Sequence, residues 1–412
     1  MRRVLAPFAA IVLVASFVSP TAAAGPTGPI TVGTQGWNAG LNALMSYCAQ
    51  QTGQTVAIND GQFQVDTIGT YLEGTPDAVV AWNASGRMRF YANQGLLTPI
   101  SDVWQSVGAN YSHYLRAVST GDNGRQYFLP LVQYPWVVIY RKSLFTSMGY
   151  QVPKTLSQFV ALANRMEADG LIPLVSANAD GWEAMGMFDI LDMRMNGYQF
   201  HMGLMAGRQK WTDRRVVAVF KKWAQLLPYF QTNAASRTWQ QGAQSLADET
   251  AGMYFSGTYA AYAMDPSVVA DLGMFAFPRF GNRWDGERAI DLPVEGLVLS
   301  TNVGDLGGAK DILKCAGTRG AQLAYTDADP IAGVATVRHA DTSNYTAYQK
   351  EMLQTIGTSG KLAQFLDRDS RPDFTGANGL KAFLADFLVN PHQNLHTYLA
   401  AIQGFWDSLP PQ

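Results

Sequence analysis

The sequence predicts an α/β fold of two or three domains, or of two lobes sharing one chain, and three observations predict it. The first is size: 412 residues, 47% hydrophobic and 15% charged, are ample for a large buried core. The second is alternation, because short β-branched runs such as Ile30-Thr31-Val32 and Thr55-Val56-Ala57-Ile58 recur between stretches of helical periodicity. The third is the stretch from Asp122 to Tyr150, around which the chain is organised. There the polar turn Asp122-Asn123-Gly124 leads into Tyr127-Phe128-Leu129-Pro130-Leu131. Tyr134-Pro135-Trp136 then sets two aromatics around a proline, ahead of Val137-Val138-Ile139-Tyr140. Proline cannot donate to a sheet ladder, so Pro130 and Pro135 argue against one central strand through both positions. The segment reads as strand, kinked crossing, strand.

Arg2 and Arg3, an apolar stretch over 5–18 and the small residues Ala22-Ala23-Ala24 read as a secretory signal over 1–24. The apolar run falls short of the roughly 20 residues a membrane span needs, which weakens the alternative of an anchor. The arginine pair fits the twin-arginine route, but the rest of that pattern is poor and general secretion is expected. No Cys lies near the cleavage site, so a freely soluble periplasmic or secreted protein without a lipid anchor is expected. Without Arg2 and Arg3, 28 basic side chains stand against 32 acidic ones, about −4 in place of −2. That balance gives no basic footprint for nucleic acid and no polybasic membrane patch. Cys48 and Cys315 are the only cysteines. An oxidising compartment allows a disulfide between them, and the sequence leaves that bond open because geometry decides it.

In chain order, a strand over 30–34 is followed by the loop Gln35-Gly36-Trp37-Asn38-Ala39-Gly40 and a helix over 41–51 stopped by Gly53. An α/β sheet places ligand at the carboxyl ends of its strands. Trp37 is therefore a stacking candidate, with packing against its own helix as the alternative. The next strand carries Asn59-Asp60 at its end, and a strand within 76–82 ends at Trp82-Asn83-Ala84-Ser85. Residues 86–117 read as helix with breaks. Past the crossing, Thr155 and Gln158 make a capping box for a helix ended by Gly170. A short strand over 171–175 leads to Asp180-Gly181-Trp182-Glu183. Helices are expected over 187–195, after Trp211-Thr212-Asp213, and over 309–325. Residues 293–300 read as a return crossing, a third crossing follows Asp329-Pro330, and most of the remainder is helical. The exception is Arg368-Asp369-Ser370-Arg371-Pro372-Asp373, whose charges are costly to bury unpaired. It reads as a surface or ion-paired loop, or as one whose Arg371 and Asp373 reach a ligand.

Several segments occur in an order that resembles a known family: Tyr71-Leu72-Glu73-Gly74-Thr75-Pro76-Asp77, residues 124–142, Pro153-Lys154-Thr155 to Gly170, Asp180-Gly181-Trp182, and Ala247 to Gly257. The family is that of extracellular solute-binding proteins of carbohydrate-uptake ABC transporters, of the maltodextrin-binding-like type, and the resemblance extends over nearly all of the mature chain. It implies a two-lobed periplasmic-binding-protein-like α/β fold with an interlobe cleft and hinge crossings. Lobe one would comprise 28–132 and 294–328, and lobe two 133–293 and 329–412. It implies that both cysteines sit on helices of the first lobe. It also implies that aromatics of the 122–150 segment face the ligand, that Trp182 is a sugar platform, and that Trp82 and Asn83 lie at the cleft. The turn at Gly257 and Tyr259 would present amides to polar ligand groups, with an ordinary turn glycine as the alternative. Ligand would favour a closed hinge state that an ABC permease recognises.

A sugar presents hydroxyl edges and apolar faces, so a selective site needs planar aromatics together with Asp, Glu, Asn or Arg groups. The expected ligand-binding set is Trp37, Asn38, Asp60, Trp82, Asn83, Tyr134, Trp136, Trp182, Gly257, Tyr259, Glu295, Arg371 and Asp373. The expected function is to bind a mono- or oligosaccharide and deliver it to an ABC importer, as a monomer, without catalysis, cofactor or metal. The competing class is a secreted glycoside hydrolase, which needs two carboxylates across the scissile bond. Glu183 and Glu295 can be nominated, but a chain with 32 acids offers many such pairs. Proteins with similar frameworks also bind polyols or glycerophosphodiesters. His392 and His396 lack a third ligand and read as surface residues.

Overall fold

The computed structural model describes residues 28–34, 36, 39–61, 67–75 and 77–411. The expected signal over 1–24, Trp37 and Asn38 lie outside the described residues. In chain order the strands are β1 (Ile30–Gly33), β2 (Val56–Asn59), β3 (Val79–Asn83), β4 (Leu97–Thr98), β5 (Phe128–Gln133), β6 (Trp136–Arg141) and β7 (Ile172–Val175). They continue with β8 (Ala251–Gly257), β9 (Leu272–Phe275), β10 (Ile290–Asp291), β11 (Val294–Ser300), β12 (Val334–Ala335) and β13 (Leu362–Ala363). The first sheet runs β12-β5-β11-β3-β1-β2, with β4 paired to β11; the second runs β7-β8-β6-β9, and β10 pairs with β13. Each larger sheet has its own apolar core, and together they form a two-lobed α/β fold.

β3 lies between β1 and β11, parallel to the first and antiparallel to the second. A strand so enclosed buries both faces, which explains an apolar run in place of alternation. β5 leaves the first sheet at Gln133 and β6 opens the second at Trp136, so Tyr134 and Pro135 are the whole passage. Pro135 marks the break, whereas Pro130 sits inside β5 opposite Gly296, beside a bulge between Glu295 and Gly296. A Cβ at Gly296 would lie 2.0 Å from the Leu129 carbonyl oxygen, so this close approach requires glycine. The return passage, Leu292-Pro293, is tied to the outgoing one: the Tyr134 amide donates to the Pro293 carbonyl at 3.2 Å. We propose the partition 28–132 with 294–328 and 133–293 with 329–412 as the two lobes. β12 lies past Asp329-Pro330 but pairs with β5, so it belongs to the first sheet and is an exception to that partition.

Local signals set most helix ends. Thr155 and Gln158 form the capping box of the Leu156–Ala168 helix. The stretch read as one helix over 309–325 is two, Leu306–Ala316 and Arg319–Ala328, because Gly317 ends the first and the Thr318 side chain caps the second. The helix expected from 187 begins at Trp182, where Gly181 takes a positive φ of 81°. Cys48, on the Ala39–Thr52 helix, and Cys315, on Leu306–Ala316, are joined in a disulfide across 267 residues of sequence. Among the described residues no helix is long and apolar enough to cross a membrane.

Candidate ligand-binding cleft

The carboxyl ends of β3 and β5 and the start of β11 bring Asn83, Val132 and Glu295 to one side of a cleft of about 1090 Å³. That is slightly above the roughly 300–1,000 Å³ of most small-molecule sites. The other side carries Trp136, Trp182, Trp239, Tyr259 and Phe365. Tyr259 is the hub of this aromatic wall. It meets Tyr134, Trp182 and Trp239 edge-to-face at ring-centroid distances of 5.9, 6.2 and 5.3 Å, and Trp136 at 6.0 Å. Such contacts use the ring quadrupole and hold planar surfaces at fixed angles. Trp136 also stacks on Phe365 at 4.6 Å. Trp182 is half-buried, with part of its ring open to the cleft.

The polar groups converge on the segment 364–369. Arg368 donates to the Tyr134 hydroxyl at 3.0 Å and to Glu295 at 3.2 Å. Burial opposes the charge on Arg368, but Tyr134, Glu295 and Asp367 together hold its pKa above the usual guanidinium value. Burial likewise raises the Tyr134 phenol, keeping it a neutral hydroxyl. Arg87, on the Ser85–Asn93 helix, faces Asp367 at 3.5 Å, with side chains 2% and 9% exposed. Neither Arg87 Nε nor Asp367 Oδ1 has a hydrogen-bond partner, although both residues line the cleft. Unpaired buried polar atoms of this kind are rare in native proteins.

Of the expected site residues, Asn83, Tyr134, Trp136, Trp182, Tyr259 and Glu295 line the cleft. Trp37 and Asn38 lie outside the described residues, and the remaining five are placed differently. Trp82 is 1% exposed within the first core and reaches only a side cavity of about 40 Å³, so its faces are used in packing. Asp60 is an exposed residue that accepts from Thr34 Oγ1 at 2.6 Å, outside the cleft lining. Gly257 does leave room for a neighbour, but the neighbour is Tyr259, whose ring a Cβ would meet at 2.5 Å. The Thr258 amide that follows donates to the Pro135 carbonyl, so it is engaged internally. Arg371 and Asp373 form a bidentate pair with each other, both bonds at 2.6 Å, and neither lines the cleft. The Leu366–Asp369 helical turn explains the difference: it presents Asp367 and Arg368 to the cleft and carries Arg371 beyond it, over the Trp406 ring.

Arg87, Trp239, Asp367 and Arg368 line the cleft without being in the set expected from the sequence. Trp239 had a signal, being an aromatic directly after a helix cap at Thr238, the kind of loop-to-helix position that Trp182 occupies. Arg87 had none. Glu183 takes the opposite course: it is 6% exposed, accepts the Tyr254 hydroxyl at 2.6 Å, and lies outside the cleft lining. The carboxylate pair nominated for a hydrolase therefore does not face one space. Among the described residues, no group of three His, Cys, Asp or Glu side chains could hold a metal ion.

Residues 23–323 match the bacterial extracellular solute-binding protein family. The protein belongs to that family. This solute-binding protein is 36% identical to the bacterial solute receptor AcbH, with 93% of this chain and 99% of that one covered and a TM-score of 0.88. AcbH is described as having an exclusive substrate preference for β-D-galactopyranose. A chitin oligosaccharide binding protein, 19% identical over 92% of this chain and 98% of its own, shares the fold at a TM-score of 0.76. The periplasmic α-glucoside-binding protein AglE of Rhizobium meliloti is 24% identical over 44% of this chain and 43% of its own length. An uncharacterised ABC-transporter extracellular-binding protein of Pyrococcus horikoshii is 23% identical over 70% of this chain and 64% of its own length. This chain thus spans less than two thirds of either curated relative. The family and the structural neighbours are binding proteins.

Proposed function

We propose that this solute-binding protein captures a mono- or oligosaccharide in the cleft and delivers it to the membrane subunits of an ABC importer. One observation carries the reading: an aromatic wall centred on Tyr259 stands within the same cleft as the charged set Arg87, Asp367, Arg368 and Glu295. The open part of Trp182 suits the CH face of a pyranose, and the charged groups of the lining, Glu295 and Arg368 among them, suit its hydroxyl edge. The likeness to AcbH makes a galactopyranose the first ligand to test.

The test is a thermal-shift and calorimetric screen of the mature protein against D-galactose, raffinose, chitin oligosaccharides, polyols and a glycerophosphodiester, with product analysis of every hit. A saturable shift with the sugar recovered unchanged is expected. A ligand at about 100 times its dissociation constant adds roughly 2.7 kcal/mol to stability. Trp182→Ala is expected to weaken binding of that sugar by at least ~30-fold, the effect of losing a central aromatic anchor, with little change in unliganded stability because the ring is half-exposed. A consumed ligand would move the protein to the hydrolases, and a response confined to the phosphodiester would remove the carbohydrate.

A further inference from the structure

Two non-glycine residues with positive φ, Ser85 at 68° and Phe365 at 150°, meet at one carboxylate. Asp369 Oδ1 accepts from Ser85 Oγ at 2.6 Å. Its Oδ2 accepts from the amides of Gln364 at 2.6 Å and Phe365 at 3.4 Å. The Asp369 amide returns a bond to the Phe365 carbonyl at 2.8 Å, which closes the segment on itself. Phe365 has ψ 151° as well, a backbone region that side chains avoid, and such strain persists only where the surroundings over-determine it. Here the surroundings are specific. Ser85 begins the helix that carries Arg87 and packs with the first core, whereas Phe365 and Leu366 belong to the core of the second sheet. Gly86 lets the two sides touch, since a Cβ there would lie 2.6 Å from the Asp369 carbonyl oxygen.

We propose that Asp369 is a positioning residue for ligand binding: its buried carboxylate fastens the 364–369 segment to the start of the Ser85–Asn93 helix and so holds Arg87, Asp367 and Arg368 in register across the cleft. The inference rests on the reading of the cleft as the ligand site. Asp369 itself does not line the cleft, so its effect on ligand passes through the groups it fixes. The two carboxylate oxygens serve two different elements; an amide of the same size keeps both contacts only by turning the Ser85 bond round, so that its Nδ2 donates to Ser85 Oγ, and it does so without the charge.

The experiment compares wild type, Asp369→Asn, Ser85→Ala and the double variant, with D-galactose and raffinose as probes in calorimetry and amide hydrogen exchange measured without ligand. Asp369→Asn is expected to weaken binding of whichever sugar wild type takes by about tenfold or more, the size of losing charge-assisted hydrogen bonds. It should also speed exchange at Gln364 and Phe365. Ser85→Ala should weaken binding by a smaller factor without exposing those two amides, and the double variant should bind no worse than Asp369→Asn alone. Unchanged affinity in Asp369→Asn, or losses that simply add in the double variant, would overturn the proposal. Should Asp369→Asn fail to fold, Ser85→Ala decides by the same criterion. A wild type that takes neither sugar fails the carbohydrate reading by itself; the exchange of Gln364 and Phe365 in Asp369→Asn then judges the clamp, with unchanged protection overturning it.

Discussion

Replacing both Cys48 and Cys315 by serine is expected to lower stability by about 2–5 kcal/mol while leaving sugar affinity unchanged. The bond joins two helices of the first lobe across 267 residues, so the loop it closes contains every strand of the second sheet and most of its core. In the unfolded chain such a closure removes much conformational freedom, and the cost of a loop grows with its length. Neither cysteine lines the cleft, which is why binding should be spared. Denaturant unfolding of the oxidised wild type against the double variant, with D-galactose titrated into each, measures both quantities. Equal unfolding midpoints would show that the bond does not constrain the unfolded ensemble, and a changed affinity would show that the helices transmit to the cleft.

The second large effect is a dependence of stability on pH that runs opposite to ordinary acid denaturation. Burial raises the Glu183 carboxyl from its usual 4.5 to about 8; the bonds from Tyr254 and its own backbone amide pull it down only in part, and Asp180 adds to the rise. The folded protein thus keeps a proton that the unfolded chain releases. The contribution is fully present below pH about 4.5 and is lost as pH rises towards about 8. Within that window the unfolded state binds fewer protons, so stability falls by about 1.4 kcal/mol per pH unit from this group. Buried Asp291, raised to about 7 chiefly by desolvation, acts in the same direction. Glu183→Gln cannot ionise and should remove its share. The difference in unfolding free energy between wild type and variant should therefore shift steadily between pH 5 and pH 8, and a constant difference across that range would refute the assignment.

Much of the candidate site was legible from the break between strands at Pro135 and from the order of segments that resembles the family. Tyr134 and Trp136 flank the proline that breaks the ladder, and an aromatic at such a passage lies between the sheets wherever the sheets come to rest. Asn83, Trp182 and Tyr259 were expected from the resemblance to the solute-binding family, and Glu295 from the return crossing over 293–300. Trp82 was not separable from them. One residue before Asn83 on the same strand, it points to the other face, and a two-residue period assigns faces without saying which face is core. The charged run was legible as a place where buried charges needed partners, yet the partners were misassigned. Arg371 and Asp373 satisfy each other two residues apart, whereas Asp367 and Arg368 find Arg87 and Glu295 some 280 and 73 positions away in the chain.

By itself the sequence determined the α/β class, the passage at Tyr134-Pro135, the capping of the Leu156–Ala168 helix and the aromatic character of the candidate site. These follow from local chemistry: proline's missing donor, a capping side chain's reach, and the period of apolar residues. Only the tertiary structure decided that Cys48 meets Cys315, that Tyr259 gathers four aromatic rings, and that Asp369 joins Ser85 to the 364–369 segment. Those are meetings of residues far apart in the chain. Whether two such side chains touch is set by how the sheets and helices pack, and distance along a sequence carries no information about that.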